Sequence, residues 1–345
     1  GASAACGLRK HKGLYWTWLA ESDFEVQLDQ LLQFVLPLAE QLPPLLWYAG
    51  CERHFLQVPP PNLKAVTFTV KEGGAFPSPG VFAAMPSLER FRCMDFDIDQ
   101  NFASTPPVVE SVLTAQRENL AFQCLREFRL ENFDIDDDDL ADLLEALSKA
   151  ACAPHLETLS LINCDICYQG IAKLAALLGQ DTFSALKHLN LGGNFSLENA
   201  GVVTLCDGLL SAPCARLISL NLSFARINSV GMAKLGAVIQ AGRLTLLETL
   251  NLSGNSPITD EAVLVLAEVI QQAKNALSHL RTLRMDYLAK VTGVGVGVLL
   301  TAVIHNCPQI ESFDTSLPSY YGERTGNDSL RALVSTLGCK GMVKL

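Results

Sequence analysis

Leucines recur in the middle of the chain with the spacing LxxLxL. Four clear copies read LETLSL, LKHLNL, LISLNL and LETLNL and begin, 30 or 31 residues apart, at Leu156, Leu186, Leu217 and Leu247. Weaker copies in the same register begin at Leu63, Leu88, Leu125, Leu280 and Ile310. Alternation of apolar with other positions is typical of a strand that buries one face. The pattern predicts nine short strands, one in each repeat.

A helical pattern follows the clearer strands. In the repeat that starts at Leu156, Ile166 is followed by Gly170, Leu174 and Leu178 at offsets of four, eight and twelve. The residue at the offset of eight is leucine in six successive repeats, at Leu143, Leu174, Leu205, Leu235, Leu266 and Leu299. Offsets of four place these residues on one helix face. We expect a helix after each strand, with small residues such as Gly170 letting it approach the neighbouring strand.

The two halves of the repeat dictate the shape of the array. Strands joined by helical crossovers pair in parallel. Strands lie about 4.8 Å apart in a sheet, whereas neighbouring helices need about 10 Å. The array must therefore bend, with strands inside and helices outside. The sequence predicts an α/β fold, a curved solenoid or horseshoe of about nine strand-helix repeats with a parallel inner sheet.

One further position completes the repeat. Three places after the last leucine of each motif, we expect a residue that turns the chain inward, and in the clearest repeats it is Cys164, Asn194, Ala225 or Asn255. The pattern then reads LxxLxLxx(N/C)xL and, with its period near 30, resembles the ribonuclease-inhibitor-like family of leucine-rich repeat proteins over about residues 62–316. That family also includes the sensor regions of some immune receptors and the Ran GTPase-activating proteins. The resemblance implies a horseshoe-shaped array.

The two ends depart from the repeat pattern. An end repeat has one uncovered hydrophobic face, so residues 1–62 are predicted to form an N-terminal helical capping region, with a helix over residues 22–42. Residues 63–316 form the repeat array, in which a rim loop is expected at residues 99–107. Residues 317–345 are predicted to be a C-terminal cap with a closing helix over residues 330–337.

Composition excludes several classes of protein. The chain has 345 residues, of which 49% are hydrophobic and 18% charged, so a mainly disordered chain is excluded. A net charge of −10 argues against nucleic acid as the main partner, since that binding normally needs a basic face. The mean hydropathy of +0.24 raises the question of a membrane. The most apolar stretches are too short or too interrupted by glycine to cross a bilayer, and no membrane span is predicted.

The cysteines bear on the compartment. Their number, eleven, is odd, and several fall where a repeat needs a small buried side chain, which favours reduced thiols over a disulfide framework. A reducing intracellular compartment, the cytoplasm, is therefore favoured. The chain begins at Gly1 rather than Met, which is expected of a processed chain or of a fragment, so a removed targeting segment and the localisation both stay open. The close pair Cys164 and Cys167 lacks the further ligands that a zinc site needs.

Two motifs could carry ligand chemistry. The run Asp136 to Asp139 could supply oxygen ligands to calcium, but its register favours capping of the following helix. The glycine-rich stretch at residues 293–298 lacks the spacing of a phosphate-binding loop and aligns with the helices of other repeats. The six histidines share no short motif with a nucleophile. The sequence predicts no catalytic residues, cofactor or metal, and the protein is expected not to be an enzyme.

The inner face of the array is readable because strand side chains alternate. Protein-binding candidates on or near it are Arg90, Arg92, Glu127, Arg129, Glu131, Phe224, Arg284, Asp286 and Tyr287. Arginine and aromatic residues dominate strong interfaces, although a pair such as Arg92 and Glu127 could simply neutralise itself. Between the charged zones, Asn190, Asn221 and Asn251 are expected to bond to one another.

Other surfaces remain open. Val263, Val265, Val296 and Val298 lie beyond the inward stripe of two helices, where they either fill gaps between helices, which is favoured, or present a binding patch. The aromatic cluster at residues 15–18 either packs in the N-terminal cap or anchors the chain in another subunit.

The sequence therefore predicts a non-enzymatic protein-protein interaction module or a subunit of a larger assembly. Its protein partner would bind the concave strand face or the apolar outer helices. One alternative is a regulator similar to the Ran GTPase-activating proteins, although no stretch here matches the arginine and asparagine loops of that family. The other is a substrate receptor of a ubiquitin ligase, although the helix over residues 22–42 gives it little support.

Overall fold

A computed structural model describes the repeat region almost continuously and the two ends in part. The described residues are 47–49, 64–70, 87–95, 107–117, 122–212, 216–273, 275–315, 334–335 and 343–344. The helix expected over residues 22–42 and the aromatic cluster at residues 15–18 lie outside them. So do residues 99–106 of the expected rim loop and most of the expected closing helix, of which residues 334–335 are described and helical.

Eleven strands of the described region form one parallel sheet in which the strands follow chain order. They are β1 (Trp47–Ala49), β2 (Ala65–Val70), β3 (Arg90–Asp95), β4 (Glu127–Glu131), β5 (Thr158–Ile162), β6 (His188–Asn190), β7 (Ser219–Asn221), β8 (Thr249–Asn251), β9 (Thr282–Arg284), β10 (Ser312–Asp314) and β11 (Val343–Lys344). The nine predicted strands correspond to β2 through β10. β1 and β11 add one strand at each edge, in the segments assigned to the caps.

Seven helices are described, one after each strand from β3 to β9. They are α1 (Pro107–Arg117), α2 (Asp137–Lys149), α3 (Gly170–Gly179), α4 (Glu198–Ser211), α5 (Ser229–Gln240), α6 (Asp260–Gln272) and α7 (Gly293–Asn306). The six leucines at the repeated helix position are all buried. Neighbouring helices contact each other along the array. The predicted α/β horseshoe of strand-helix repeats is thus confirmed.

The core lies between the sheet and the helices. Leu159, Leu189, Leu220 and Leu250 lie side by side in the register of four adjacent strands, and each is at most 1% exposed. Burying a leucine side chain stabilises a fold by about 1.5–3 kcal/mol. One such leucine per strand gives every repeat a contact with both neighbours. The sheet therefore gains stability by stacking rather than from any repeat alone.

Two expectations about the helices are settled by their contacts. The acidic run is a cap, as predicted, because a side-chain oxygen of Asp136 accepts the backbone amide of Asp139 at 2.8 Å. The expectation that small residues let a helix approach the strand is wrong. A Cβ added to Gly170 would lie 2.7 Å from an oxygen of Asp137, at the start of the preceding helix. The close approach therefore joins helix to helix.

The valines that the sequence placed beyond the inward stripe differ in exposure. Val263 and Val296 are buried, which agrees with a role in filling gaps between helices, and Val265 is partly exposed. Val298 is 37% exposed, and Leu264 on α6 is 45% exposed. In the described part of the chain, the helices are too short or too polar to cross a membrane.

Candidate protein-binding surface

Parallel pairing aligns the inner-face side chains into rows that run across the strands. One row, near the strand starts, contains Arg90, Glu127, Thr158, His188, Ser219, Thr249, Thr282 and Ser312. The next row contains Arg92, Arg129, Ser160, Asn190, Asn221, Asn251, Arg284 and Asp314. Six of the nine candidate binding residues lie in these two rows or beside them on β4. Asp286, Tyr287 and Phe224 follow the strand ends.

The charged zone on β3 and β4 pairs differently from the expectation. The register sets Arg92 beside Arg129, so two like charges are neighbours. Arg92 Nε lies 3.8 Å from a carboxylate oxygen of Glu131, while Arg129 forms an ion pair with Glu127 on its own strand. The suggested pair of Arg92 with Glu127 is therefore wrong, because the register places Glu127 beside Arg90.

The second charged zone lies at β9 and β10. Arg284 Nε donates to Oδ2 of Asp314 at 3.0 Å, across the strand pair. Asp314 is 5% exposed, and its Oδ1 accepts the hydroxyl of Ser312. The arginine side chain itself is half exposed. The bond to Asp314 holds the guanidinium of Arg284 through Nε, and Arg129 is held by its ion pair with Glu127.

The three inner asparagines do not bond to one another, which corrects the sequence-based expectation. The Oδ1 atoms of Asn190, Asn221 and Asn251 each accept the backbone amide two residues further along, at 3.0 Å. This local turn forms because an asparagine side chain can reach the backbone just past its own strand. Among the described residues, no hydrogen-bond acceptor faces any of the three Nδ2 groups. The row therefore presents amide donors.

A shallow groove of about 260 Å³ runs along these donors, and we call it the donor groove. Its lining consists of Arg129, Thr158, Ser160, His188, Leu189, Asn190, Ser219, Asn221, Thr249, Asn251 and Arg284. The lining includes two arginines and no carboxylate. Ser160 is 1% exposed, and its hydroxyl has no partner within the described region. Burial, followed by the charges of Lys187 and Arg129, lowers the pKa of His188.

The rim where the strands end has an unusual backbone. In six successive repeats, the residue two places after the last apolar position of the LxxLxL motif has positive φ; these residues are Asn132, Asn163, Gly193, Phe224, Gly254 and Tyr287. The amide of Phe224 donates to the carbonyl of Ser253 at 2.8 Å, and that of Gly254 to the carbonyl of Asp286 at 2.7 Å. The turn thus continues the ladder of the sheet. Glycine and asparagine tolerate this conformation, whereas bulky residues rarely adopt it.

Phe224 and Tyr287 are the two aromatic exceptions in that row. The ring of Phe224 lies against Gly254, where an added Cβ would be 2.3 Å from it, and its centroid is 5.9 Å from that of Phe195. The exposed fractions are 44% for Phe195, 38% for Phe224 and 70% for Tyr287. We call these three residues the aromatic rim. The sequence identified Phe224 and Tyr287 but missed Phe195, which follows a buried asparagine and carries no signal of its own.

The described residues offer little for catalysis or metal binding. No group of three or more His, Cys, Asp and Glu side chains among them could hold a metal ion. The thiol of Cys164 is buried and contacts the carbonyl of Ile162 at 3.3 Å, while that of Cys167 donates to Asp137 at 3.0 Å. Both thiols of the close pair therefore have internal partners.

Known proteins share the repeat. The Leucine Rich repeat family model matches residues 243–267. Ribonuclease inhibitor from Sus scrofa is 35% identical over 170 residues, which cover 49% of this chain and 34% of that protein. Ribonuclease inhibitor from Mus musculus is 32% identical, covering 41% and 29%. NACHT, LRR and PYD domains-containing protein 12 from Mus musculus is 31% identical, covering 45% and 14%. The chain thus spans about a third or less of the length of these relatives.

A solved structure, that of the Rad7 and Elc1 complex in yeast, aligns with 14% identity and a TM-score of 0.41 over 86% of each chain. The LxxLxL strands, the helix after each strand and the single parallel sheet are all present here. This chain thus carries a leucine-rich repeat and is similar in sequence to the ribonuclease inhibitors over part of its length.

Proposed function

We propose that the protein is a non-enzymatic binding module that holds a protein partner on its inner face and on the aromatic rim. The supporting observation is the placement of Phe224 and Tyr287 in left-handed backbone with their rings exposed. A non-glycine residue in this conformation costs roughly 1–2 kcal/mol. The neighbouring repeats use glycine or asparagine at the same place. The exposed tyrosine at residue 287 therefore carries a backbone cost that glycine or asparagine would avoid.

The chemistry of these residues fits an interface. Aromatic residues and arginine carry most of the binding energy where proteins meet. The rim offers three aromatic rings, and the inner face offers arginines already held by carboxylates. An arginine side chain that is already held by a carboxylate loses little conformational entropy when a partner binds, which favours affinity. Two relatives are named for inhibiting a ribonuclease, which is an action on another protein.

The test compares two variants of the full chain that each lose one exposed apolar side chain. Tyr287→Asn changes the rim and introduces a residue that accepts positive φ. Leu264→Asn, the matched control, changes the outer surface of α6. Partners captured from the native extract are quantified by mass spectrometry. Tyr287→Asn should lose them by about tenfold or more and leave the free energy of unfolding unchanged or raised by up to about 1 kcal/mol.

Cross-linking of the native complex locates the binding face directly. Lys290 lies three residues after Tyr287, whereas Lys173 and Lys234 lie on the outer helices α3 and α5. Partner cross-links should concentrate at Lys290. Cross-links confined to Lys173 and Lys234, together with loss of capture in Leu264→Asn alone, would assign binding to the outer helices and refute the proposal.

We also propose that the protein works in a reducing compartment. The seven cysteines in the described region are free thiols. Burial raises the pKa of Cys152 and of Cys307 to about 12, so these thiols resist the ionisation that oxidation requires. Alkylation of protein taken from its natural source without reduction should modify all of the cysteines once the chain is denatured. Recovery of disulfide-linked peptides would contradict this assignment.

A further inference from the structure

The donor groove has a chemistry opposite to that of the chain as a whole. The protein carries a net charge of −10, yet the groove is lined by two arginines and no aspartate or glutamate. Glu127 and Asp314 form ion pairs with Arg129 and Arg284, respectively. The terminal nitrogens of both arginines remain for a ligand. The groove thus presents the terminal nitrogens of two arginines and no acidic side chain, on a protein that is acidic as a whole.

The neutral groups of the groove are also biased toward donating hydrogen bonds. The amide oxygens of Asn190, Asn221 and Asn251 are occupied by their own backbone, so their Nδ2 groups remain as donors. Asparagine normally offers both a donor and an acceptor. Here each oxygen already accepts one backbone amide in three adjacent strands, whereas the Nδ2 group has both of its hydrogens to donate. A complementary ligand must therefore supply acceptors.

Ser160 provides an independent indication that a ligand belongs in the groove. Its hydroxyl lines the groove, is almost completely shielded from solvent, and has no hydrogen-bond partner in the described part of the chain. A buried polar group without a partner costs about 1–3 kcal/mol, and such groups are rare in folded proteins. An acceptor on a bound ligand would satisfy this hydroxyl.

We infer that the donor groove binds an acidic segment of a partner protein, with side-chain carboxylates facing Arg129, Arg284 and the asparagine amides between them. This inference rests on the proposed binding function and specifies the chemistry of the partner. At about 0.15 M salt the Debye length is about 8 Å. The distant acidic residues of the chain are therefore largely screened, and the charges lining the groove dominate.

The groove also sets the length of the segment. Arg129 lies on β4 and Arg284 on β9, five strand spacings apart, or about 24 Å at about 4.8 Å each. An extended peptide advances about 3.3 Å per residue, so about seven residues reach from one arginine to the other. A segment of about three residues can contact only one of them.

The test uses the full purified chain and a fluorescent peptide of seven glutamates, with binding followed by anisotropy in about 0.15 M salt. Arg284→Gln removes one end of the groove. Asn221→Asp keeps the oxygen that accepts the amide of Ser223 but replaces the amide donor with a negative charge. Gln240→Glu, at the exposed end of α5, is the matched control because it adds the same charge outside the groove.

The heptaglutamate should bind, and both groove variants should weaken it by about tenfold or more, which corresponds to about 1.4 kcal/mol. Gln240→Glu should change affinity by less than about twofold. A seven-glutamine peptide should bind at least tenfold more weakly than heptaglutamate, and a three-glutamate peptide should bind more weakly too.

Three results would overturn the inference. One is no binding of heptaglutamate, and another is equal weakening by Asn221→Asp and Gln240→Glu. The third is tighter binding of a single-stranded oligonucleotide of equal charge, which would assign the groove to nucleic acid. This peptide assay needs no natural partner, so it can fail independently of the capture experiment. If heptaglutamate does not bind but Tyr287→Asn still loses partner capture, the groove inference is wrong and the proposed function stands.

Discussion

The side-chain oxygen of Asn194 accepts the backbone amide of Cys164, one repeat earlier, at 2.9 Å. The same oxygen accepts the amide of Ile166, and the Nδ2 group donates to the carbonyls of Leu161 and Leu191. One buried side chain thus satisfies four backbone groups in two repeats. Asn255 makes the same four bonds two repeats later.

Replacing Asn194 should therefore be costly. Asn194→Ala leaves four buried backbone groups without this partner, and an unsatisfied buried group costs about 1–3 kcal/mol. Relaxation of the structure and entry of water offset part of this loss, so we expect the free energy of unfolding to fall by about 3–5 kcal/mol.

Asn190→Ala, on the inner face of the same repeat, is the control. It should lower the free energy of unfolding by about 1 kcal/mol, because it loses one part-buried hydrogen bond. Urea denaturation of both variants measures the difference, and equal losses would contradict the assigned role.

These two asparagines show what sequence periodicity can and cannot predict. The spacing of leucines predicts that the chain turns inward at Asn194, and the structure shows this side chain buried at that turn. The same alternation placed Asn190 on the inner face, also correctly. Its bonding was not predictable, because the choice between a neighbouring strand and its own backbone depends on the local turn after the strand. The periodicity of the sequence determines which way a side chain points, whereas its hydrogen-bond partners depend on the local backbone conformation.

Close packing between helices predicts opposite effects for two glycines at one contact. A Cβ on Gly208 in α4 would lie 2.4 Å from the carbonyl oxygen of Ala175 in α3, whereas a Cβ on Gly179 would meet nothing nearer than 3.4 Å. Gly208→Ala should destabilise the fold by about 1–3 kcal/mol through overpacking. Gly179→Ala should stabilise it by up to about 1 kcal/mol, because alanine favours helix.

Thermal unfolding of the two glycine variants checks this expectation. The melting temperature should fall in the first and hold or rise in the second. A Gly208→Ala variant as stable as the natural chain would show that α3 and α4 are further apart than described here.

The cysteines should separate by reactivity. Burial raises the pKa of Cys164 and of Cys206 to about 12, and both are fully shielded, whereas Cys124 is exposed. Only the thiolate reacts with an alkylating reagent. A short pulse of iodoacetamide at pH 8 should therefore modify Cys124 in the folded chain and reach the two buried thiols only after denaturation. Peptide mapping by mass spectrometry distinguishes the sites, and early labelling of Cys206 would argue against the described core.

The candidate site was only partly accessible to sequence reasoning. Residue type and strand position indicated Arg129, Arg284 and Tyr287. The left-handed backbone at Tyr287 was not visible, because no residue pattern marks it apart from the glycine and asparagine in equivalent repeats. The missing partner of Ser160 depends on how neighbouring side chains cover it. Both observations arise from three-dimensional contacts, and they carry the two proposals.

The histidine in the donor groove predicts how binding should vary with pH. In the free protein, burial and the charges of Lys187 and Arg129 lower the pKa of His188, partly opposed by Glu157 and Glu127. The imidazole is therefore mainly neutral near pH 7. Carboxylates of a bound acidic segment stabilise the charged form and raise this pKa, so binding takes up a proton.

Affinity for heptaglutamate should rise as the pH falls from about 7.5 to about 5.5, by up to about tenfold for each unit of pKa increase. The peptide carboxylates stay charged over that range, since their pKa is about 4.3. The variant His188→Gln should bind with affinity that changes little over the same range. If the natural chain and this variant show the same pH dependence in anisotropy titrations, His188 does not face the bound segment.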